Sequence, residues 1–193
     1  RTLSFDLMNA LRNNSRCDNM VIRPAESKDL DAIISLLNRE IIAGVNIFRI
    51  EPLSDAMAGR WWQQHGQGRY QAIVAETVEE EFDGGANIAG WASLAPHSAY
   101  EGYDRTAELS VWVDASMRRR GCGRMLVEAI LSRCVERNIR TVVSRIESNN
   151  NASLRLHEAC GFKHAGLLNN VGEKFGQSLS VVLMQYHVAE LHD

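Results

Sequence analysis

The chain has few of the features that mark cross-linked, metal-binding or membrane-embedded proteins. Only four of its 193 residues are cysteines, at positions 17, 122, 134 and 160, and no two of them form a Cys-x-x-Cys pair. This spacing argues against a zinc or disulfide framework, so we expect no metal and a reducing, cytoplasmic compartment. No apolar run approaches the roughly 18 residues of a membrane span, and we expect no membrane partner.

The charge balance is close to neutral, because 24 acidic residues stand against 21 lysines and arginines, which gives a formal net charge of −3. This balance argues against a protein whose main task is to grip nucleic acid. Three prolines leave no room for a proline-rich linker. The length suits one domain. We therefore expect a single domain over residues 20–188, with an extension at 1–19 and a tail at 189–193.

Apolar periodicity predicts seven strands and four helices in the order β, α, α, β, β, β, α, β, α, β, β. An Asp83-Gly84-Gly85 turn predicts a hairpin between the second and third strands. Antiparallel strands come first and strand–helix–strand units later, which is typical of an α/β fold with a mixed sheet. The predicted strands are 20–24, 70–76, 87–95, 107–113, 141–147, 163–168 and 179–188. The first predicted helix is capped by Ser27 and has apolar positions from Leu30 to Ile41. The other three predicted helices are 54–65, 121–137 and 152–160.

A basic, glycine-containing turn follows the fourth strand, with the sequence Arg118-Arg119-Arg120-Gly121-Cys122-Gly123-Arg124. Its glycines let the backbone approach a ligand, and the helix that starts here presents unpaired N–H groups. The helix dipole and the arginines complete an anion site that suits a pyrophosphate. The motif lacks the Gly-Lys-Ser/Thr of a Walker loop and the third glycine of a dinucleotide fingerprint. Taken alone, it is also compatible with a solvated basic helix start.

A second informative stretch covers residues 149–162. Three asparagines are followed by Ala152-Ser153-Leu154-Arg155-Leu156-His157-Glu158-Ala159-Cys160-Gly161-Phe162. We expect asparagine to start a helix with Ala152, Leu156, Ala159 and Cys160 facing inward. Taken alone, this stretch is also compatible with asparagines that only cap the helix and with a half-buried structural His157.

Together the two stretches resemble the GCN5-related N-acetyltransferase (GNAT) superfamily. The first matches its Arg/Gln-x-x-Gly-x-Gly/Ala motif, and the second matches Asn-x-x-Ala/Ser-x-x-Leu-Tyr/His-Glu-x-x-Gly-Phe. Residues 45–52, 99–108, Leu156-His157-Glu158, and Gly172 with Lys174 and Gly176 are similar to the phosphinothricin N-acetyltransferase subgroup. The resemblance implies a GNAT fold, which is a mixed, mostly antiparallel central sheet flanked by helices, with splayed strands at the coenzyme site.

The resemblance also implies acetyl-CoA as co-substrate. The backbone of Val111, Trp112 and Val113 would pair with the pantetheine arm like an extra strand, and one N–H would polarise the thioester carbonyl. Asn150 and Ser153 would bind the coenzyme from the other side. Related sequences often have glycine where this chain has Arg119, so we expect a stiffer turn there. The pyrophosphate would lie against Arg118, Arg119, Arg120, Gly121, Cys122, Gly123 and Arg124.

The acceptor amine must be neutral to attack a thioester, so a base helps at neutral pH. Glu108 matches the family's candidate base, and period two places it on one strand face with Ser110 and Trp112. The alternative is a solvent-facing Glu108 paired with a neighbouring arginine. His157 takes the position of the acid proposed to protonate the departing thiolate.

Phe48 and Tyr103 match positions that line the amino-acid pocket in the resembling subgroup. A carboxylate on the substrate calls for an arginine fork, for which Arg49 and Arg105 are candidates. The resemblance thus implies direct acetyl transfer to the primary amine of a small substrate of the phosphinothricin, methionine sulfoximine or methionine sulfone type, by a homodimer. Two alternatives are a protein N-terminal or lysine acetyltransferase and a non-catalytic acyl-CoA-binding sensor.

Overall fold

A seven-stranded sheet organises the computed structural model, which describes residues 20–77 and 87–188. Its strands are β1 Met20–Pro24, β2 Ile73–Thr77, β3 Ile88–Pro96, β4 Thr106–Val113, β5 Thr141–Glu147, β6 Lys163–Lys174 and β7 Gln177–His187. Its helices are α1 Leu30–Ala43, α2 Asp55–His65, α3 Cys122–Ser132 and α4 Asn151–Ala159. The strand order is β1-β2-β3-β4-β5-β7-β6, and only β4 and β5 pair in parallel. The predicted mixed, mostly antiparallel sheet and the order of its elements are therefore confirmed.

The central strands of the sheet are buried on both faces, because their alternate residues join two different apolar clusters. On β2, Ile73 and Ala75 pack with α3, whereas Val74 packs with α1 and Trp91. All residues of β3 from 88 to 94 are buried, which is typical of a strand covered on both sides. No helix in the described ranges is both long and apolar enough to cross a membrane.

Several predicted boundaries were wrong. The helix predicted over 121–137 ends at Ser132, because the following turns bring Ile139 into the core, and Val135 is left 40% exposed. Cys134 and Cys160 accordingly lie just past helix ends instead of on helix faces. The strand predicted at 163–168 extends to Lys174. The predicted hairpin at Asp83, the extension at 1–19 and the tail at 189–193 lie outside the described residues.

Lys174 ties β6 to the last turn of α1 and to the connection between α1 and α2. Its side chain is buried, and its ammonium group donates to the backbone oxygens of Ile41, at 2.6 Å, and Ile47, at 2.8 Å. Burial lowers the pKa of Lys174. Nearby, Gly172 leaves room for the Phe48 ring, since a Cβ on this glycine would lie 2.3 Å from Phe48 Cδ2. These two contacts fix the α1–α2 connection against β6.

We expect Lys174→Met to lower the free energy of unfolding by about 2 kcal/mol, because methionine fills the stem's space but leaves two carbonyls without their donor. Urea unfolding measures this change. Lys163→Met is the matched control, since Lys163 is exposed on the same strand. An equal effect of the two substitutions would contradict the structural role of Lys174.

Candidate active site

A cleft opens where β4 and β5 separate. The two strands pair only at Thr106–Thr141, Ala107–Val142 and Glu108–Val143. Beyond Glu108, each strand stays in the sheet through its antiparallel neighbour on the other side. The resulting cleft has a volume of about 590 Å³, and its walls include residues 109–113 of β4 and 144–147 of β5.

The start of α3 closes one end of this cleft. Gly121 precedes the helix with φ of 90°, a left-handed conformation that glycine adopts without strain, and it offers no capping side chain. Arg119 has φ of 63°, which costs a residue with a side chain about 1 kcal/mol, and the expected stiffness of this turn stays a prediction. Arg118 forms an ion pair with Glu40, and Arg124 pairs with Glu128 at 2.6 Å.

Most of the residues predicted to hold the coenzyme line this cleft. They are Val111, Trp112, Val113, Arg118, Arg119, Gly121, Gly123, Arg124, Asn150 and Ser153. Arg120 and Cys122 do not line it, and the Cys122 side chain is buried in the core. Sequence reasoning missed other lining residues, namely Glu40, Asn46, Ser144, Arg145, Glu147 and Arg155.

Two buried polar side chains of β5 differ in whether they have hydrogen-bond partners. Ser144 is 2% exposed, and its hydroxyl has no hydrogen-bond partner among the described residues. Glu147 is also buried, but it accepts from the Asn149 backbone N–H at 2.9 Å and from the Ser148 hydroxyl at 3.2 Å. A ligand group in the cleft would give the Ser144 hydroxyl the partner that buried polar atoms normally have.

Asn150 caps α4, because its Oδ1 accepts from the Ser153 N–H at 3.1 Å, and it also lines the cleft. The predicted inward face of α4 was wrong in part. Ala152 and Ala159 are exposed, and His157 is buried instead. The buried stripe centres on His157 because its ring packs against the buried Phe162, with ring centroids 4.9 Å apart.

His157 reaches the cleft as a neutral side chain. Its Nδ1 lies 2.8 Å from the Ser153 carbonyl oxygen, which can only accept, so Nδ1 carries the proton. Burial lowers the pKa of His157 below its usual value of 6.5. The other ring nitrogen, Nε2, therefore carries a lone pair at neutral pH and accepts a hydrogen bond instead of donating one.

Glu108 is held from two sides. Arg145 Nη2 lies 2.6 Å from both carboxylate oxygens, and His97 Nδ1 lies 3.1 Å from Oε1. The predicted alternative of a glutamate paired with an arginine is thus present, but the Glu108 side chain is only 21% exposed and does not face open solvent. Arg145 lines the cleft and Glu108 does not, so Arg145 connects Glu108 to the cleft.

The two residues predicted for the amine pocket do not line the cleft. Phe48 packs on Gly172, and Tyr103 meets the His97 ring edge-to-face, with ring centroids 5.3 Å apart. Arg49 directs its guanidinium to the Glu51 carbonyl, at 2.7 Å, and to Met57 Sδ, and it does not line the cleft. Within residues 20–77 and 87–188, no three His, Cys, Asp or Glu residues come together to hold a metal ion.

The chain is similar to several known proteins. The profile of the acetyltransferase (GNAT) domain matches residues 19–163. An L-methionine sulfoximine/L-methionine sulfone acetyltransferase from Pseudomonas paraeruginosa is 30% identical over 167 residues, which are 86% of this chain and 94% of that protein. Among solved structures, yncA from Salmonella typhimurium with its cofactor acetyl-CoA is 28% identical, with a TM-score of 0.81 over 90% of this chain and 96% of its own. A GNAT superfamily phosphinothricin acetyltransferase from Sinorhizobium meliloti in complex with acetyl-CoA is 27% identical, with a TM-score of 0.78 over 88% and 89% of the two chains.

The buried histidines make folding stability depend on pH. Burial lowers the pKa values of His157 and His65 in the folded state, so below pH 6.5 the unfolded chain binds protons more readily than the folded one. Stability is therefore complete above pH 6.5 and falls as the pH drops. Between pH 7 and 5.5 we expect a loss of up to about 1 kcal/mol for each histidine.

Urea unfolding at these two pH values tests this expectation. His157→Gln should make the pH dependence shallower and leave the part that His65 contributes. His187→Gln, at an exposed position, is the control and should keep the full slope. An unchanged slope in His157→Gln would show that His157 does not enter the folded state as a neutral group.

Proposed function

Because the chain belongs to the acetyltransferase (GNAT) domain family, we propose that it transfers an acetyl group from acetyl-CoA directly to the primary amine of a small, amino-acid-like acceptor. The acceptor would be of the phosphinothricin, methionine sulfoximine or methionine sulfone type. The observation that carries the proposal is the cleft itself, which extends from the start of α3 to Arg145, the ion-pair partner of Glu108. The names of the similar proteins support the acceptor class.

The described residues fit acetyl-CoA, which supplies an activated thioester when bound. The separated edge of β4 offers backbone groups of Val111, Trp112 and Val113 to a ligand that pairs like an added strand. One of these N–H groups would polarise the carbonyl oxygen as negative charge develops on it. The buried Ser144 hydroxyl, which lacks a partner among the described residues, supports a polar ligand in the same cleft.

The diphosphate would lie at the start of α3, where Arg118, Arg119 and Arg124 line the cleft. Two of these arginines already have carboxylate partners, Glu40 and Glu128. A diphosphate would therefore share these arginines with the glutamates or replace the glutamates. Gly121 has no side chain to accept from the backbone N–H groups in the first turn of α3, so its position leaves them available to a diphosphate.

Glu108 is the proposed base. Arg145 Nη2 donates to both of its carboxylate oxygens, so Glu108 accepts the amine's proton only after these hydrogen bonds have broken. His157 would accept a hydrogen bond through Nε2 in this scheme, and the thiolate of coenzyme A would depart without a proton from it. Coenzyme A is a fairly good leaving group, so this step does not depend on an acid.

The first test is thiol release from acetyl-CoA in the presence of L-methionine sulfone, L-methionine sulfoximine or phosphinothricin. We expect turnover with at least one of these acceptors. Tight binding of acetyl-CoA without turnover on these and a broad panel of other amines and peptides would contradict the proposal and favour the sensor alternative. Turnover on peptides alone would favour the protein acetyltransferase alternative.

In the same assay, Glu108→Gln should lower kcat roughly 100-fold, the ordinary contribution of a positioned base, and change the affinity for acetyl-CoA little. Glu136→Gln, at an exposed position away from the cleft, is the control. Wild-type kcat in the Glu108 variant would remove the base assignment and leave the rest of the proposal standing.

We further propose that the chain forms a homodimer through β6. This strand ends the sheet and exposes three large apolar side chains, Leu167 at 54%, Leu168 at 43% and Val171 at 51%. Several exposed apolar side chains on one edge strand favour a protein partner. Sedimentation equilibrium should give twice the chain mass for the wild type and the single mass for Leu168→Asp. A wild type that sediments as a monomer at micromolar concentration would contradict the dimer.

A further inference from the structure

Arg145 presents a guanidinium group to the cleft at the point where β4 and β5 separate. Its side chain is 59% exposed, whereas that of its partner Glu108 is 21% exposed. It donates to both oxygens of that carboxylate and lines the cleft itself. An incoming ligand therefore meets the arginine before it meets the candidate base.

The sheet geometry places Arg145 on the side of the acceptor. Glu108 lies opposite Val143, and Arg145 is two residues further along β5, so all three share one face of the sheet. Trp112, on the same face of β4, packs with the cluster that includes α1 residues, and Asn46 of the α1–α2 connection lines the cleft. The opposite face of β4 and β5 packs against α3.

The other cleft arginines lie on other elements. Arg118, Arg119 and Arg124 belong to the start of α3, and Arg155 belongs to α4. The two arginines predicted from the sequence for a carboxylate, Arg49 and Arg105, do not line the cleft. Arg145 is thus the cleft arginine that stands beside the candidate base.

We propose that Arg145 binds the carboxylate of the amino-acid acceptor and that this contact frees Glu108. The inference rests on the proposed function. A substrate carboxylate offers the same two-oxygen geometry as Glu108, so the guanidinium exchanges one carboxylate partner for another and itself stays paired. Glu108 then keeps its contact with His97 and becomes available to the proton of the amine.

This arrangement makes Arg145 a specificity-determining residue. An amine without a carboxylate does not displace Glu108 from Arg145. Such an amine therefore forms no ion pair with Arg145, and Glu108 stays bound to the arginine. An α-amino acid gains the ion pair and frees the base in the same event. The structure therefore predicts discrimination between an amino acid and the amine that remains when its carboxylate is removed.

The experiment compares L-methionine sulfone with 3-(methylsulfonyl)propan-1-amine, its decarboxylated counterpart. The wild type should prefer the amino acid in kcat/KM. In Arg145→Gln, kcat/KM for the amino acid should fall roughly 30-fold, the effect of losing a charge-assisted bidentate contact. For the amine, kcat/KM should not fall, because the substitution removes the guanidinium that holds Glu108. Arg145→Lys keeps the charge without the fork, so it should retain part of the preference.

Two measurements separate this role from a structural one. The affinity for acetyl-CoA, by calorimetry, should be unchanged in both Arg145 variants, and Arg60→Gln, an exposed arginine on α2 outside the cleft, should behave as wild type. An equal loss for the two acceptors, or an intact preference for the amino acid in Arg145→Gln, overturns the inference while the proposed function stands. A wild type that acetylates neither acceptor nor any other amino acid overturns both.

Discussion

The separation of β4 from β5 after Glu108 is the constraint on which the site depends. Three residue pairs hold the strands in parallel, and beyond them both strands keep their antiparallel partners, β3 at Val113 and β7 at Glu147. Each strand therefore stays hydrogen-bonded along one edge while its other edge is opened. The sheet exposes two polar backbone edges in its middle without losing the strands that carry them, and such edges invite a ligand that can pair with them.

The same separation gives the cleft two chemically different ends. One end meets the start of α3, where a helix dipole, N–H groups and arginines favour an anion. The other end meets Arg145 and, through it, Glu108 and His97. The α1–α2 connection approaches this second end, and the buried Lys174 holds that connection against β6. Lys174, on the edge strand β6, thus fixes the α1–α2 connection, which forms the part of the cleft that an acceptor would contact.

The order of the elements and the anion site follow from local patterns in the sequence. Periodicity identifies the strands, and the glycines around Cys122 identify the start of α3, because both signals lie within a few neighbouring residues. Arg145, His97 and Ser144 give no such signal. These residues reach the site only because β5, the end of β3 and the open edge of β4 lie next to one another in the fold. A strand pattern in the sequence does not show where two paired strands separate. The same limit applies to His157, since burial against Phe162 decides its protonation and the motif alone suggested a proton donor.

The side chains that line the cleft carry more positive than negative charges, whereas the whole chain has a net negative charge. The formal net charge is −3, yet the cleft is lined by five arginines and two glutamates. Because charges further apart than about 8 Å are largely screened at physiological ionic strength, a ligand in the cleft responds to these local arginines and hardly to the net charge. The arginines also divide into two groups, Arg145 beside Glu108 and the others at α3 and α4. A cleft with cationic groups at separate places suits two anionic ligands bound together, one with a diphosphate and one with a carboxylate, and it keeps their negative charges apart.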